Sequence, residues 1–140
     1  MNNSCPKLYL APMEGLGALP FRKAMCSIGG FDEACTEFIR VPENAHVESL
    51  ARVYDANALH PFPQAAQIMG SNPELMGAMT AALCKKNAPR IELNCGCPSN
   101  TVTGRGAGSS LLKTPDLLFE IAKRMVSSTT KPVSVKMRTG

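Results

Sequence analysis

Arg90-Ile-Glu-Leu-Asn-Cys-Gly-Cys-Pro-Ser-Asn-Thr-Val-Thr-Gly-Arg-Gly-Ala-Gly108 is the stretch around which the chain is organised. It begins as a short apolar strand in which Ile91 and Leu93 alternate with Glu92, and it then becomes a loop rich in Gly, Pro, Ser and Asn. A buried strand that leads into a Gly-rich loop is a common place for catalysis in α/β proteins, because the strand fixes what the loop presents.

Cys97 is the candidate reactive residue of this loop. Gly96 precedes it and is expected to allow an unusual φ angle, while Pro98 follows it and favours an extended conformation at Cys97. A thiol held in this way can be aimed at a ligand.

Short apolar strands alternate with helices along the chain, and polar residues follow the strands. Strands are predicted at Leu8–Ala11, Ala34–Phe38, Ala65–Ile68, Arg90–Leu93 and 132–137. The first two helices are predicted at Pro20–Ile28 and Asn44–Val53. A third is predicted with Ser71 or Asn72 as its N-cap, and a fourth after Thr114. This alternation indicates a parallel sheet with right-handed crossovers.

An open doubly wound sheet and a (β/α)₈ barrel both fit this pattern, and the positions of the polar residues favour the barrel. A barrel gathers the carboxyl ends of its strands around one site, whereas an open sheet spreads them out. The residues at those ends are Pro12, Met13, Glu14, Glu37, Gln67, Asn94, Lys136 and Arg138. Five strands do not close an eight-stranded barrel, so we predict an incomplete TIM-barrel type, with residues 1–140 as the N-terminal part of a larger domain.

Composition excludes several classes of protein. The chain has 140 residues, is 44% hydrophobic and carries a net charge of +4, which fits either a solvated basic face or nucleic-acid binding. No apolar run approaches the ~20 residues that span a bilayer, and residues 1–7 lack the features of a signal peptide, so we expect a cytoplasmic protein. The six cysteines lack metal-ligand spacing, and no metal site is expected.

Four motifs stand in order along the chain. The central one is Leu93–Pro98, followed by Val102 and a Gly-rich run, and the others are Ala11–Gly15, Gln67–Gly70 and Ser134–Arg138. Together these motifs resemble the tRNA-dihydrouridine synthases, a flavoenzyme family, and the similarity runs from about Leu8 to the last residue. The segment Thr36–Val41 and the Asn-Cys-Gly-Cys-Pro form are most similar to the bacterial C-type branch.

The resemblance implies an FMN cofactor, with NADPH as the reductant. In the family, reduced FMN delivers a hydride to C6 of a uracil, and the cysteine at the position of Cys97 protonates C5 from the opposite face. Lys136 is implied to reach the flavin ring system, where a cation stabilises negative charge. Gln67 is implied to bind the polar edge of the flavin, and the backbone of Pro12, Met13 and Glu14 is implied to line the ring.

The resemblance also implies a tRNA substrate, with a uridine of the D-loop as the target and position 16 as the site for this branch. Arg40, Asn94, Gly96 and Arg138 are the positions expected to meet the uridine or its tRNA, and arginine suits both phosphates and splayed-out bases. The run Gly104–Gly108 is interpreted as a mobile lid, because it does not open directly into a helix as a dinucleotide loop does.

Two other functions stay open on the sequence. A flavin barrel of this kind can act as a dehydrogenase of free pyrimidines instead of tRNA. Alternatively, the chain is a truncated, inactive barrel fragment that self-associates to cover its exposed strand edges.

Overall fold

The computed structural model describes residues 6–98 and 106–139. The strands of this part are β1 (Tyr9–Leu10), β2 (Glu33–Cys35), β3 (Ile39–Arg40), β4 (Gln64–Met69), β5 (Ile91–Cys95) and β6 (Val133–Met137). The α-helices are α1 (Leu19–Ile28), α2 (Val47–Ala51), α3 (Pro73–Lys85) and α4 (Pro115–Ser127), and a 3-10 helix spans Gly108–Lys113.

All the strand pairs are parallel, as the sequence predicts. The strand order is β1-β2-β4-β5-β6, and β3 pairs with β4 beside β2. Helices alternate with the strands, so the sheet forms a half-barrel and the predicted fold class, an incomplete TIM-barrel type, is confirmed.

The second predicted strand, Ala34–Phe38, is wrong in its bounds, because a bulge divides it. Four steps separate Cys35 from Ile39, whereas three separate their β4 partners, Ala65 and Ile68. One extra residue therefore interrupts pairing between β2 and β3. The Thr36 hydroxyl accepts a hydrogen bond from the Gln67 N–H at 3.1 Å, so this amide remains satisfied across the interruption.

The helices follow local sequence signals. Helix α3 begins where the Asn72 side chain accepts a hydrogen bond from the Leu75 N–H at 3.1 Å, with Pro73 in the first turn. Helix α2 is shorter than the predicted Asn44–Val53 and holds five residues. In the described ranges, no helix combines the length and apolar character that crossing a bilayer requires.

The two faces of the sheet have different chemistry. The face toward the helices carries apolar side chains, including Ile68, Leu93 and Cys95, all 0% exposed in the main core. Side chains alternate along a strand, so Gln67, Glu92 and Asn94 point to the opposite, interior face of the half-barrel. The interior face of the half-barrel is therefore polar, although the sequences of these strands are mainly apolar.

Candidate active site at the carboxyl ends of the strands

A cleft of about 300 Å³ lies at the carboxyl ends of the strands, and we call it the rim cleft. Its volume is at the lower end of the range for small-molecule sites. All the residues predicted for the site except Glu37 and Arg40 contribute to its lining, together with Phe38 and Pro98. The lining consists of Pro12, Met13, Glu14, Phe38, Gln67, Asn94, Gly96, Cys97, Pro98, Lys136 and Arg138.

Arg40 lies beside the rim cleft in strand β3. Its guanidinium carbon is 5.8 Å from the centroid of the Phe38 ring, and Phe38 lines the cleft. Arg40 therefore neighbours the cleft through an aromatic side chain. Its contact with tRNA stays a prediction.

Asn94 fixes the backbone of the loop that carries Cys97. Its Oδ1 atom accepts hydrogen bonds from the N–H groups of Gly96 and Cys97, both at 3.0 Å. The Cys97 carbonyl accepts a further bond from the Ser109 N–H at 3.0 Å. The Cys97 side chain is half-buried and packs against the small cluster formed by Met69 and Ala107. The loop thus holds a partly accessible thiol at the cleft.

Gly96 differs from the expectation drawn from the sequence. Its φ lies outside the positive range that favours glycine. The described glycines that lie within this range are Gly15, Gly29, Gly30, Gly106 and Gly108. A Cβ atom built on Gly96 would lie 3.8 Å from its nearest neighbours, an ordinary contact. The expected unusual φ at Gly96 is therefore wrong, because the two bonds from Asn94 impose the turn without it.

The two cysteines of the motif lie in different environments. Cys95 is fully buried on the helix-facing side of β5, and burial raises its pKa to about 11. Cys97 lies two residues further on, past the end of the strand, and lines the rim cleft. Cys95 is thus a core residue, and Cys97 is the cysteine that a ligand in the cleft would meet.

Lys136 and Arg138 lie together on the β6 side of the cleft. In register, Lys136 is opposite Asn94, and among the described residues its exposed ammonium group has neither an ion pair nor a hydrogen bond. Arg138 donates from Nε to the Gly96 carbonyl at 2.8 Å, which ties β6 to the Cys97 loop. A cation without a partner at the wall of a cleft is suited to an anionic ligand.

Met13 and Glu14 form the opposite wall of the rim cleft, and hydrogen bonds made by neighbouring residues anchor the loop that contains them. The Gly15 N–H donates to Oε1 of Glu37 at 2.7 Å, and Glu37 comes from the bulge between β2 and β3. The buried guanidinium of Arg22 donates to the Gly17 carbonyl. The bulge therefore supplies a residue that positions the wall of the site.

Gln67 is 1% exposed and lies at the floor of the rim cleft. Its Nε2 donates to Oε1 of Glu92 at 2.8 Å, and its Oε1 accepts from Nδ2 of Asn94 at 2.9 Å. An amide nitrogen carries two hydrogens and an amide oxygen two lone pairs, so Gln67 keeps one donor and one acceptor for a ligand.

Sequence reasoning missed two charged residues that lie below Gln67. Glu92 and Arg90 lie in a second cavity of about 350 Å³ in the interior of the half-barrel. Arg90 pairs with Glu92 at 2.6 Å and with Glu33 at 2.6 Å. The available signal was a charged residue between Ile91 and Leu93 in a strand that is otherwise buried, since a buried charge requires a partner.

The donor set fits a planar ligand with a polar edge, as the flavin ring system of FMN is. Gln67 offers a donor and an acceptor to such an edge, and Lys136 offers a positive charge. Pro12 and Met13 supply an apolar wall on the other side.

A parallel β/α half-barrel with a thiol, an amide pair and a cation at the carboxyl ends of its strands has the arrangement of a barrel enzyme. Comparison with known proteins identifies the family. The sequence model of the dihydrouridine synthase (Dus) family matches residues 9–140, and the chain belongs to this family.

Curated relatives support the same assignment. The chain is 35% identical over 142 residues to the tRNA-dihydrouridine(16) synthase of Neisseria meningitidis serogroup B, covering 96% of this chain and 43% of that protein. It is 38% identical over 142 residues to the Aquipseudomonas alcaligenes protein of that name and 34% over 147 residues to that of Escherichia coli K12. Each alignment covers 96% of this chain and 45% of the relative, so the chain spans less than half of its relatives.

Proposed function

We propose that this chain is the N-terminal part of the catalytic barrel of an FMN-dependent tRNA-dihydrouridine synthase. Its reaction is the reduction of the C5–C6 double bond of uridine 16 in the tRNA D-loop, with NADPH as the reductant, in the cytoplasm. The observation that carries the proposal is the rim cleft, which brings Cys97, Gln67, Asn94 and Lys136 together at the ends of three strands. The relatives' name, tRNA-dihydrouridine(16) synthase, supports position 16 as the target.

Cys97 contributes to the reaction the proton that is added at C5 of the uracil ring. Bound in its reduced form, FMN would supply a hydride to C6 of the uracil ring. Hydride addition at C6 leaves an electron pair at C5, and the Cys97 thiol donates its proton there from the opposite face. Asn94 holds the backbone of Cys97 through two hydrogen bonds, so the donor is oriented before the uridine arrives.

Residues on two sides of the rim cleft would hold the flavin. Gln67 would bind the polar edge of the ring, and Lys136 would balance negative charge on it. The backbone of Pro12, Met13 and Glu14 would line the ring from the β1 side. The absence of another anionic partner for Lys136 among the described side chains supports this role.

The tRNA would approach over the exposed side of the rim cleft. Arg40 and Arg138 lie at that edge, and Arg138 is exposed beyond its contact with Gly96. Guanidinium groups suit both phosphates and unstacked bases. The net charge of +4 favours the same polyanionic partner.

A direct test measures dihydrouridine at position 16 of tRNA. The full-length protein, purified and examined for yellow flavin absorbance, is incubated with NADPH and tRNA from a strain lacking dihydrouridine synthases. We expect dihydrouridine to form in tRNA and free uracil to remain unchanged. Reduction of free uracil at a rate equal to that of tRNA would instead support the dehydrogenase of free pyrimidines.

Self-association of the 140-residue chain is the second candidate, and the strand edges favour it. Within the described ranges, β1 pairs only with β2, and β6 pairs only with β5. Tyr9 and Met137 on these outer strands are 49% and 54% exposed. Unpaired parallel edges with apolar side chains are covered in stable proteins. Sedimentation of the isolated chain distinguishes a monomer from a dimer that covers these edges.

A further inference from the structure

A line of hydrogen-bonded polar side chains connects the interior of the half-barrel with the Cys97 loop. Arg90 Nη1 donates to Oε2 of Glu92 at 2.6 Å, and Oε1 of Glu92 accepts from Gln67 at 2.8 Å. Gln67 accepts from Asn94 at 2.9 Å, and Asn94 accepts from the backbone of Cys97 at 3.0 Å. Gln67, Glu92 and Asn94 are between 1% and 8% exposed, so water competes little for these bonds.

The chemistry of the carboxylate gives this line a direction. A carboxylate only accepts hydrogen bonds, so Gln67 must turn its NH₂ group toward Glu92. The Gln67 oxygen then faces Asn94, and Asn94 must donate a hydrogen bond to it from its own NH₂ group. Only this orientation leaves the Asn94 oxygen free to accept from Gly96 and Cys97.

The reversed orientation keeps the Gln67–Asn94 hydrogen bond but is unfavourable at both ends of the line. Turning both amides over would place the Gln67 oxygen against the Glu92 carboxylate and the Asn94 NH₂ group against two N–H donors. Buried groups that lose their hydrogen bonds in this way incur the full cost of desolvation. One carboxylate therefore determines the orientation of two amides.

We propose that Glu92 is a positioning residue for Cys97. Its carboxylate sets the orientation of the Gln67 and Asn94 amides, and Asn94 in turn holds the Cys97 loop at the rim cleft. Arg90 assists by occupying the other oxygen of Glu92, which leaves Oε1 for Gln67. The catalytic part of this inference rests on the proposed function, in which Cys97 is the proton donor.

Glu92 also forms an ion pair with Arg90. The test must therefore separate the contribution of this ion pair to stability from the positioning of Cys97. Glu33 provides a matched control, because it pairs with the same guanidinium at 2.6 Å and lines no part of the route to Cys97. Glu92→Gln and Glu33→Gln each remove one negative charge beside Arg90. Only Glu92→Gln also introduces a donor that faces Gln67.

The test measures hydrogen exchange at the Gly96 and Cys97 amides of the full-length protein without flavin or tRNA. Glu92→Gln is expected to lower protection at both amides roughly tenfold, the equivalent of about one net hydrogen bond, with Glu33→Gln close to wild type. The double variant Glu92→Gln/Gln67→Glu should restore protection, because the carboxylate then stands next to Asn94. Unchanged protection in Glu92→Gln, or an equal loss in Glu33→Gln, overturns the proposal.

A second variant covers the case in which Glu92→Gln does not fold. Gln67→Met keeps the Arg90–Glu92 pair and interrupts the line at its middle, so the protection of Gly96 and Cys97 should fall in the same way. Retained protection in Gln67→Met also overturns the proposal. Since exchange requires no cofactor or substrate, failure here is distinguishable from failure to form dihydrouridine.

Discussion

Replacing Cys97 by alanine should slow uridine reduction strongly and leave the reduction of bound flavin by NADPH nearly unchanged. A positioned general acid typically contributes ~10²–10⁴-fold, and this is the loss expected for Cys97→Ala in the chemical step. Cys95→Ala is the matched control, because it makes the same chemical change two residues earlier. Cys95 is 0% exposed and outside the rim cleft.

The structure also separates the effects of the two substitutions on stability. Cys95 packs in the main core, and removing its sulfur leaves a cavity, which should lower the free energy of unfolding by ~1–2 kcal/mol. Cys97 is half-buried in a small cluster beside Met69, so Cys97→Ala should cost less than ~1 kcal/mol. The slow enzyme and the destabilised enzyme are therefore expected to be different variants.

Single-turnover oxidation of the reduced full-length enzyme by tRNA isolates the chemical step, and denaturant unfolding gives the stability. Thiol alkylation at pH 8 reports the accessibility of each cysteine. Burial raises the pKa of Cys95 to about 11, so its thiolate is scarce at pH 8 and the residue should stay unlabelled in the folded protein. Cys97, at the cleft, should be labelled.

The opposite pattern would refute the reasoning. If Cys95→Ala is the slow variant and Cys97→Ala turns over normally, the thiol at the rim cleft is not the acid. Equal slowing in both variants, together with equal loss of stability, would mean that the loop acts only through packing.

Three further predictions follow from the described contacts. Gly96→Ala should leave the free energy of unfolding unchanged or raise it by up to ~1 kcal/mol, whereas Gly15→Ala, at φ +81°, should lower it by ~1–2 kcal/mol; denaturant titration checks both. Lys136→Met should weaken flavin binding about 10–100-fold by fluorescence titration, and Lys113→Met, which is exposed elsewhere, should not. Met137→Glu should shift any dimer of the 140-residue chain toward monomer in sedimentation, because it charges the open edge.

The parallel sheet was predictable because its signal is local and repeated. Each apolar strand is followed by a polar residue, and the carboxyl ends of parallel strands meet at one edge. The division of the second strand was not predictable in this way. It depends on the register of β2 and β3 against β4, because the four residue steps from Cys35 to Ile39 lie opposite only three steps in β4. The sequence of Ala34–Phe38 alone does not contain that register.

The candidate site was predictable where residue types are unusual for their position and was missed where partners lie far apart in sequence. Cys97 and Lys136 each stand out locally. The role of Glu92 depends on Gln67 and Arg90, which are 25 and 2 positions away, and only the folded half-barrel brings all three side chains together. Gly96 shows the converse error, since a glycine beside a turn suggested an unusual φ angle that the Asn94 side chain makes unnecessary.

Gln67 connects the two sets of hydrogen bonds that position the walls of the site. Its backbone N–H is bound to Thr36 at the bulge, next to Glu37, which anchors the Met13 wall through Gly15. Its side chain lies between Glu92 and Asn94 on the route to Cys97. The wall expected to line the flavin and the loop expected to carry the acid are thus positioned by separate parts of one buried residue. A substitution that changes only the Gln67 side chain should therefore loosen the Cys97 loop and leave the bulge and the Met13 wall in place.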